Sequence, residues 1–313
     1  MARLLVLTDR HPNDPEWKGA LTWQIILSLA ESHHEVMVAT PLDPATIAVT
    51  HPRLTVTRPV KSWRVEQMPK LARLLLTYQP EIIHTFAPCS QRLWPALTVW
   101  PYINAIAKAL PRIRKFSTLF DERDSSLEEA AAIWHQDADA VTVFSEAHRL
   151  SAEKSLSRAA QVVPLEIEMP IEPGDSDQVL IPAPVSEWKH PSTALARLTI
   201  FLEQNPECIA IVAGGWGSWT ASERKEGWRL LGSVAARVQM SEEMGLPEFA
   251  VASQRARSLW LEALEPGSWR LQLAAHLGKN FGKRVMIPGS WPVTLTAGST
   301  ANSLSRLYSL EAR

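Results

Sequence analysis

Short apolar runs alternate with stretches of helical periodicity along most of this chain. An apolar run of about four to eight residues predicts a buried strand, and apolar positions three or four residues apart predict a helix covering the sheet. In the first half, strands are predicted at 3–8, 35–40, 54–58, 81–86, 115–121 and 140–145. Helices are predicted there at 21–32, 68–79, 93–110 (broken near Pro101) and 126–135. This alternation favours a parallel sheet covered by helices.

Residues 168–178 interrupt the pattern with prolines, a glycine and acids, as a linker does. Strands are then predicted at 178–184, 208–215, 249–253 and 284–288, and helices at 192–204, 222–240, 255–264, 269–277 and 301–313. We therefore predict an α/β protein with two Rossmann-like domains joined by a hinge near residue 174. The predicted domains are 1–172 and 173–313, with the last helix packing back toward the hinge.

Composition limits the classes of function. The 313 residues suffice for two domains with separate cores, and a net charge of −1 gives no general attraction to nucleic acid. The two cysteines, Cys89 and Cys208, lie far apart, so we expect neither a disulfide framework nor a metal site. The sequence also contains no serine nucleophile elbow, zinc-protease motif or Walker loop. Without a signal peptide or a membrane-length apolar run, we expect a cytoplasmic protein or one peripheral to the inner membrane face.

Six segments occur in the order typical of one enzyme family. Residues 32–41, 80–86, 137–149, 186–198 and 209–217 resemble successive strand and loop motifs of the retaining, family-4-like GT-B glycosyltransferases. Residues 265–279 resemble the segment with which that family holds the donor sugar and the ribose. The resemblance implies a GT-B fold, in which the two Rossmann-like domains face each other across a cleft. It implies a nucleotide-sugar donor and no other cofactor. It also implies hexosyl transfer to a polysaccharide or lipid.

The resemblance implies several donor-binding residues. Lys189 matches the lysine of the family's diphosphate clamp, and Glu265 matches the first carboxylate on the donor sugar. The other candidates are Gly19, Gly215, Gly217 and His84. Alternatives remain for most of them: the loop around Gly215 is a phosphate cradle or a plain tight turn. His84 touches ligand or is a satisfied core histidine, and Glu265 is a ligand contact or an acid favoured by a helix N-terminus.

Three positions depart from the family pattern. Phe120 stands where many members have a histidine beside the reactive centre, and a phenyl ring forms no hydrogen bond with a sugar hydroxyl. Pro184 replaces the clamp arginine, and Leu273 replaces the second carboxylate. We therefore expect no catalytic residue and a binding or scaffold function in a degenerate cleft. The alternatives are an active retaining transferase and a nonsugar Rossmann pair such as an epimerase.

Charge and tryptophan distribution add two expectations. Residues 53–115 carry eleven bases against two acids, a balance of +9, and 116–174 carry twelve acids against four bases, a balance of −8. Similar GT-B proteins contact anionic lipid through a basic N-terminal face, so we expect an anionic membrane or an acidic protein partner there, or only a solvated face. The predicted face consists of Arg58, Lys61, Arg64, Lys108, Arg112, Arg114 and Lys115. Four tryptophans on predicted loops stack on a ligand or belong to the core: Trp188, Trp216, Trp219 and Trp269.

Overall fold

The computed structural model describes residues 2–13, 17–86, 95–110, 112–120, 124, 131–163, 176–261, 264, 271, 273–275, 277, 284–286 and 300–310. Contacts within the chain define two compact units. Unit 1 consists of Met1–Leu165 together with Ala297–Arg313, and unit 2 consists of Glu166–Thr296. Both ends of unit 2 therefore join unit 1 along the chain. Within the described part, no helix combines the length and apolarity needed to cross a bilayer.

Unit 1 is built on a seven-stranded parallel sheet. Its strands are β1 (Arg3–Leu7), β2 (Glu35–Ala39), β3 (Leu54–Thr57), β4 (Ile82–Phe86), β5 (Arg114–Thr118), β6 (Ala140–Val143) and β7 (Ala160–Val162). The described helices are α1 (Lys18–Glu31), α2 (Met68–Tyr78), α3 (Trp100–Ala109), α4 (Ala132–Asp137), α5 (Glu146–Leu156) and α9 (Thr300–Leu310). The strand order is β3-β2-β1-β4-β5-β6-β7.

Unit 2 is built on a five-stranded parallel sheet. Its strands are β8 (Ser176–Ile181), β9 (Ile209–Val212), β10 (Val238–Met240), β11 (Ala256–Trp260) and β12 (Arg284–Met286), in the order β10-β9-β8-β11-β12. Its described helices with full bounds are α6 (Pro191–Gln204), α7 (Ala221–Leu231) and α8 (Leu246–Arg255).

Each sheet reverses its strand order beside its first strand, between β1 and β4 in unit 1 and between β8 and β11 in unit 2. In doubly wound sheets of this kind, ligands bind outside the carboxyl ends of the strands at the reversal point. The predicted α/β class with two Rossmann-like domains is confirmed. The predicted boundary at residue 172 stays a prediction.

Three predicted elements of unit 2 are wrong. The helix predicted over 222–240 ends at Leu231, because Gly232 has a left-handed φ of 49°, and the last three residues form β10 instead. Residues 249–253, predicted as a strand, lie inside α8. Pro247 in the first turn and the Glu248 carboxylate, which accepts from the Gly245 amide at 2.9 Å, start that helix.

The third error is the helix predicted over 255–264, where β11 begins at Ala256. Its last three residues, Ser258 to Trp260, are buried in succession because both faces of the strand are covered there, and a short buried run of this kind is ambiguous from sequence. In unit 1, the helical stretch predicted over 93–110 is interrupted near Pro101, as predicted: a short 3₁₀ turn at Pro95–Leu97 is separated by Thr98 and Val99 from α3, which begins at Trp100. The proline lies in the first turn of α3, where its missing N–H has no helical partner to lose.

Candidate functional site

The carboxyl edge of the unit 2 sheet is the first candidate site. The chain leaves β8 through Pro184, which is buried beneath the loop after β9. A Cβ at Gly214 would lie 3.1 Å from the Pro184 Cβ, and the next amide, that of Val185, donates to the Gly215 carbonyl at 2.9 Å. Pro184 therefore joins two loops by apolar packing, and it provides no charge where the family's clamp arginine is expected.

The glycine-rich loop after β9 is a closed turn. Gly214, Gly215 and Gly217 all have left-handed φ angles, of 79°, 54° and 60°. Their amides already donate within unit 2: Gly215 to the Val212 carbonyl at 3.1 Å and Gly217 to the Gly214 carbonyl at 3.0 Å. The amide of Gly214 donates to the Glu242 carbonyl at 3.1 Å. A phosphate bound by these amides would have to replace those bonds, which corresponds to the tight-turn alternative.

Lys189 lies at the same edge with an exposed side chain. It is followed by His190, whose φ of 51° turns the chain into α6, and α6 begins at Pro191. No acid occupies the first turn of α6, and no side chain caps it. The positive end of the helix dipole thus adds to the lysine charge, which favours an anion there.

The second carboxylate position is apolar. Leu273 is fully buried, and its helical neighbours Ala274 and Leu271 are at most 2% exposed. A side chain in this environment accepts no hydroxyl bond from a ribose. Glu265, the first carboxylate position, lies outside the described residues.

The tryptophans of unit 2 pack on each other. Trp216 covers Gly227 so closely that a Cβ there would lie 2.4 Å from the indole ring. It stacks on Trp219 with 5.4 Å between centroids and meets Trp228 edge-on at 5.1 Å. Trp188 is buried and donates from Nε1 to the Ala183 carbonyl at 2.9 Å. The contacts of Trp216 hold the loop after β9 against α7. Trp269 lies outside the described residues.

The carboxyl edge of the unit 1 sheet is apolar at the family's histidine position. Phe120 follows β5, is 1% exposed and packs on Phe144 with 5.3 Å between ring centroids. The Phe120 amide donates to Asp124 Oδ2 at 2.8 Å, and Asp124 Oδ1 lies 3.4 Å from Lys18 Nζ. This buried ion pair was not predicted from the sequence. Lys18 and the following Gly19 are both buried in the first turn of α1, and Asp124 lies 106 residues further along the chain, so no local sequence signal marks the pair.

His84 is fully buried in β4. Its Nδ1 shares a hydrogen bond with the Tyr308 hydroxyl of α9, and its Nε2 lies 2.8 Å from Thr118 Oγ1. Burial lowers the pKa of His84 to about 3. This is the environment of a satisfied core histidine, and a contact with ligand would require one of these bonds to open.

The predicted basic face separates into surface and structural cations. Arg58, Lys61, Arg64 and Arg112 are exposed. Lys108 is exposed and lies 2.6 Å from Asp137. The other two members are less accessible. Arg114 is half-buried and donates to the Tyr308 carbonyl, and Lys115 is 5% exposed and donates to Asn104 Oδ1 at 2.9 Å.

The surface of unit 1 does carry other basic and apolar side chains. On α2, Lys70 and Arg73 are exposed, and Leu76, three residues further, is 65% exposed. Residues three apart on a helix share a face. Leu97 and Tyr102, just before and within α3, are 53% and 43% exposed. Among the described residues, no group of three or more histidine, cysteine or acidic side chains is placed to hold a metal ion.

Comparison with known proteins gives structural relatives without close sequence relatives. No protein-family model matches the chain, and no curated protein matches it. The Anabaena protein HepE, solved with UDP-glucose, is 14% identical with a TM-score of 0.58, over 100% of this chain and 90% of HepE. An α-glucosyltransferase solved with UDP is 11% identical with a TM-score of 0.59, over 100% of this chain and 92% of that one.

A third similar structure is the UDP-GlcNAc 2-epimerase of Methanocaldococcus jannaschii. It is 11% identical with a TM-score of 0.53, over 98% of this chain and 99% of the epimerase. Identities this low establish the fold and leave the activity open. The chain therefore has the GT-B-like fold shared by these glycosyltransferases and epimerases.

Proposed function

We propose that this protein is a glycosyltransferase-like protein of the GT-B fold that binds a nucleotide or nucleotide-sugar and is catalytically degenerate. In this proposal it acts as a binding or scaffold module of the retaining, family-4-like type. One observation carries the proposal: the residues at the three departing family positions, Phe120, Pro184 and Leu273, are all buried in the packing of their own units.

The burial matters because it distinguishes a lost ligand-binding function from a neutral substitution at the protein surface. An exposed apolar residue could be replaced by its polar family counterpart with little structural cost. At these positions, however, a polar side chain would be desolvated, which costs about 1–3 kcal/mol without a hydrogen-bond partner. The ligand would also lose up to three polar contacts worth about 1.5–3 kcal/mol each when charged. The combined loss of about 5–9 kcal/mol would weaken donor binding by three to six orders of magnitude.

The ligand half of the proposal rests on the unit 2 edge. Proteins of similar fold have been solved with UDP and UDP-glucose. In this chain, exposed Lys189 beside the positive end of α6 is suited to a diphosphate. We therefore propose Lys189 as the main phosphate contact and a uridine nucleotide as the first ligand class to test.

Calorimetry with UDP, UDP-glucose and GDP tests this function. We expect weak binding of one of them, in the millimolar range, its loss in Lys189→Ala, and no effect of Lys154→Ala, which removes an exposed lysine in unit 1. Incubation with labelled UDP-glucose and glycan or lipid acceptors should give no transfer. Transfer or sugar release would refute degeneracy and favour the active transferase. Absence of binding by all three nucleotides would refute the ligand assignment.

We also propose that the exposed side chains of α2 contact an anionic membrane. Lys70 and Arg73 supply charge, and Leu76 supplies an apolar group that can enter the interface. Flotation with vesicles containing a third phosphatidylglycerol should recover the wild type, and Leu76→Asp should reduce recovery at least fivefold. Ile200→Asp is a matched control in unit 2, where Ile200 is 54% exposed. Equal recovery of both variants, or binding to an acidic protein without vesicle binding, would contradict the membrane assignment.

A further inference from the structure

The helix α9 belongs to unit 1 although it follows unit 2 along the chain. It packs against α1, and its Leu304 and Tyr308 are buried to 2% or less. Because unit 2 lies between α9 and the rest of unit 1 in sequence, the chain returns from unit 2 to unit 1 just before this helix, and this return is one of the two covalent connections between the units. The contacts that dock α9 on unit 1 therefore also fix the end of this connection.

Tyr308 anchors α9 on the β4–β5 region of the sheet. Its hydroxyl is hydrogen-bonded to His84 Nδ1, and its ring meets the Phe116 ring edge-on at 4.9 Å. The Arg114 guanidinium donates to the Tyr308 carbonyl. On the other side of its ring, His84 bonds to Thr118 and stacks on Phe86 at 4.3 Å.

A second histidine holds the same helix. His34, just before β2, lies 3.0 Å through Nε2 from Ser305 Oγ of α9, and its ring meets Tyr308 edge-on at 5.8 Å. His34 is 7% exposed. Thus two buried imidazoles from different parts of unit 1 contact adjacent turns of α9.

We propose that α9 is an acid-releasable strap, which stays docked on unit 1 while His34 and His84 are neutral and is released when they are protonated. A neutral imidazole can donate through one nitrogen and accept through the other, and both buried rings contact α9 hydroxyls. Protonation makes both nitrogens donors and leaves a cation among the rings of Phe86, Phe116 and Tyr308. The guanidinium of Arg114, at the Tyr308 carbonyl, adds like charge in the same region.

The direction of the pH effect follows from the environment of each histidine. Burial lowers the pKa of His84 to about 3. Burial also lowers the pKa of His34, as do the amino-terminal charge and His33, whereas a bond with the Ala2 carbonyl and the charge of Glu81 act in the opposite direction. Docking is therefore strongest above about pH 6.5, the free histidine value, and weakens as the pH falls toward 3. At pH 5, full exposure of His84 on release would reduce the docking equilibrium up to about 30-fold.

The chain offers a specific probe of α9. It contains three tyrosines, Tyr78, Tyr102 and Tyr308, so protein labelled with 3-fluorotyrosine gives three ¹⁹F resonances that Tyr78→Phe and Tyr102→Phe assign. None of the thirteen tryptophans lies in α9, so tryptophan fluorescence reports unfolding of the remainder. In a titration of the full chain from pH 8 to 4, we expect the Tyr308 resonance to reach its exposed position at a higher pH than the tryptophan transition.

Variants separate strap release from general acid unfolding. His34→Gln with His84→Gln should move the Tyr308 midpoint at least one pH unit lower. His135→Gln is the matched control: His135 is equally buried but bonds to Ser117, whose side chain points to the sheet face opposite Thr118. It should leave the Tyr308 midpoint unchanged. Tyr308 and tryptophan signals that change together in the wild type, or an unshifted midpoint in the double variant, would overturn the proposal.

A second measurement covers the case in which the glutamine variants do not fold. Tyr308→Phe keeps the ring and removes the hydroxyl bond to His84. Hydrogen exchange of the peptide 300–310, corrected for the intrinsic rate at each pH, should show loss of protection at higher pH in this variant than in the wild type. Identical pH profiles would contradict the proposed role of the His84–Tyr308 bond.

Discussion

Replacement of Lys115 by methionine should destabilise unit 1 much more than the same replacement of Lys108. Both lysines lie within the basic stretch of residues 53–115, and both are connected to Asp137 by hydrogen bonds. Lys115 is buried and reaches the carboxylate through Asn104, whose Nδ2 donates to Asp137 Oδ2 at 2.5 Å. Lys108, with 56% of its side chain exposed, contacts the carboxylate directly at 2.6 Å.

The magnitudes follow from this difference in burial. Methionine preserves most of the Lys115 stem, so the change removes one charged hydrogen bond, worth about 1.5–3 kcal/mol, and leaves Asn104 Oδ1 without its donor. It also removes the ammonium located 6.0 Å from the centre of the Trp134 ring, a contact worth about 0.5–1 kcal/mol. We expect Lys115→Met to cost about 2–4 kcal/mol. Lys108→Met should cost at most about 1 kcal/mol, because its pair is largely in water.

Urea unfolding of both variants measures the two costs. The transitions of the two units need separate fits, since a two-domain chain need not unfold in one step. The m-value of the unit 1 transition should be unchanged, so that the shift in its midpoint reports stability. A Lys115→Met variant no less stable than Lys108→Met would refute the reasoning, and the buried lysine would then contribute nothing beyond its stem.

Three further outcomes are expected. Gly217→Ala should cost about 2–4 kcal/mol in thermal unfolding, because a Cβ would lie 2.2 Å from Ser186 Oγ; Gly232→Ala, with a similar positive φ and nothing within 4 Å, should cost only the strain of about 1 kcal/mol. Burial lowers the pKa of His135 to about 4, so about 2 kcal/mol of unit 1 stability should disappear between pH 6.5 and 5; an equal loss in His135→Gln would contradict this source. Phe120→His should lower stability by about 2 kcal/mol and restore no sugar transfer; detectable transfer would show that one residue had silenced the site.

The fold was largely predictable because most strands are buried on both faces and bounded by polar residues. RLLVL of β1 is apolar after its first residue, and its burial matches that pattern. Prediction failed at 249–264, where a helix and a strand meet directly between Arg255 and Ala256. No glycine or proline marks that junction, so only tertiary packing decides where helix ends and strand begins.

The candidate site was less predictable than the fold. The apolar character of Phe120 and Leu273 was readable from the sequence, but their burial was not. The exposure of Lys189 fits its expected role, whereas the internal bonding of the Gly215 and Gly217 amides depends on carbonyls brought by the fold. The sequence contains no local signal for the Lys18–Asp124 pair, since its members are 106 residues apart. Charge counting also grouped Lys115 with surface bases, because composition does not distinguish a buried ammonium from an exposed one.

The discontinuity of unit 1 has a consequence for folding during synthesis. A ribosome completes Met1–Leu165 and then all of unit 2 before it adds Ala297–Arg313. Until then, the surface that receives Tyr308, formed in part by His84 and Phe116, has no cover from α9, and exposed apolar surface of this kind promotes aggregation. Unit 2 is continuous and can fold while it emerges. The first unit to be translated is therefore the last to be completed, and premature termination near the carboxyl terminus would damage the amino-terminal unit.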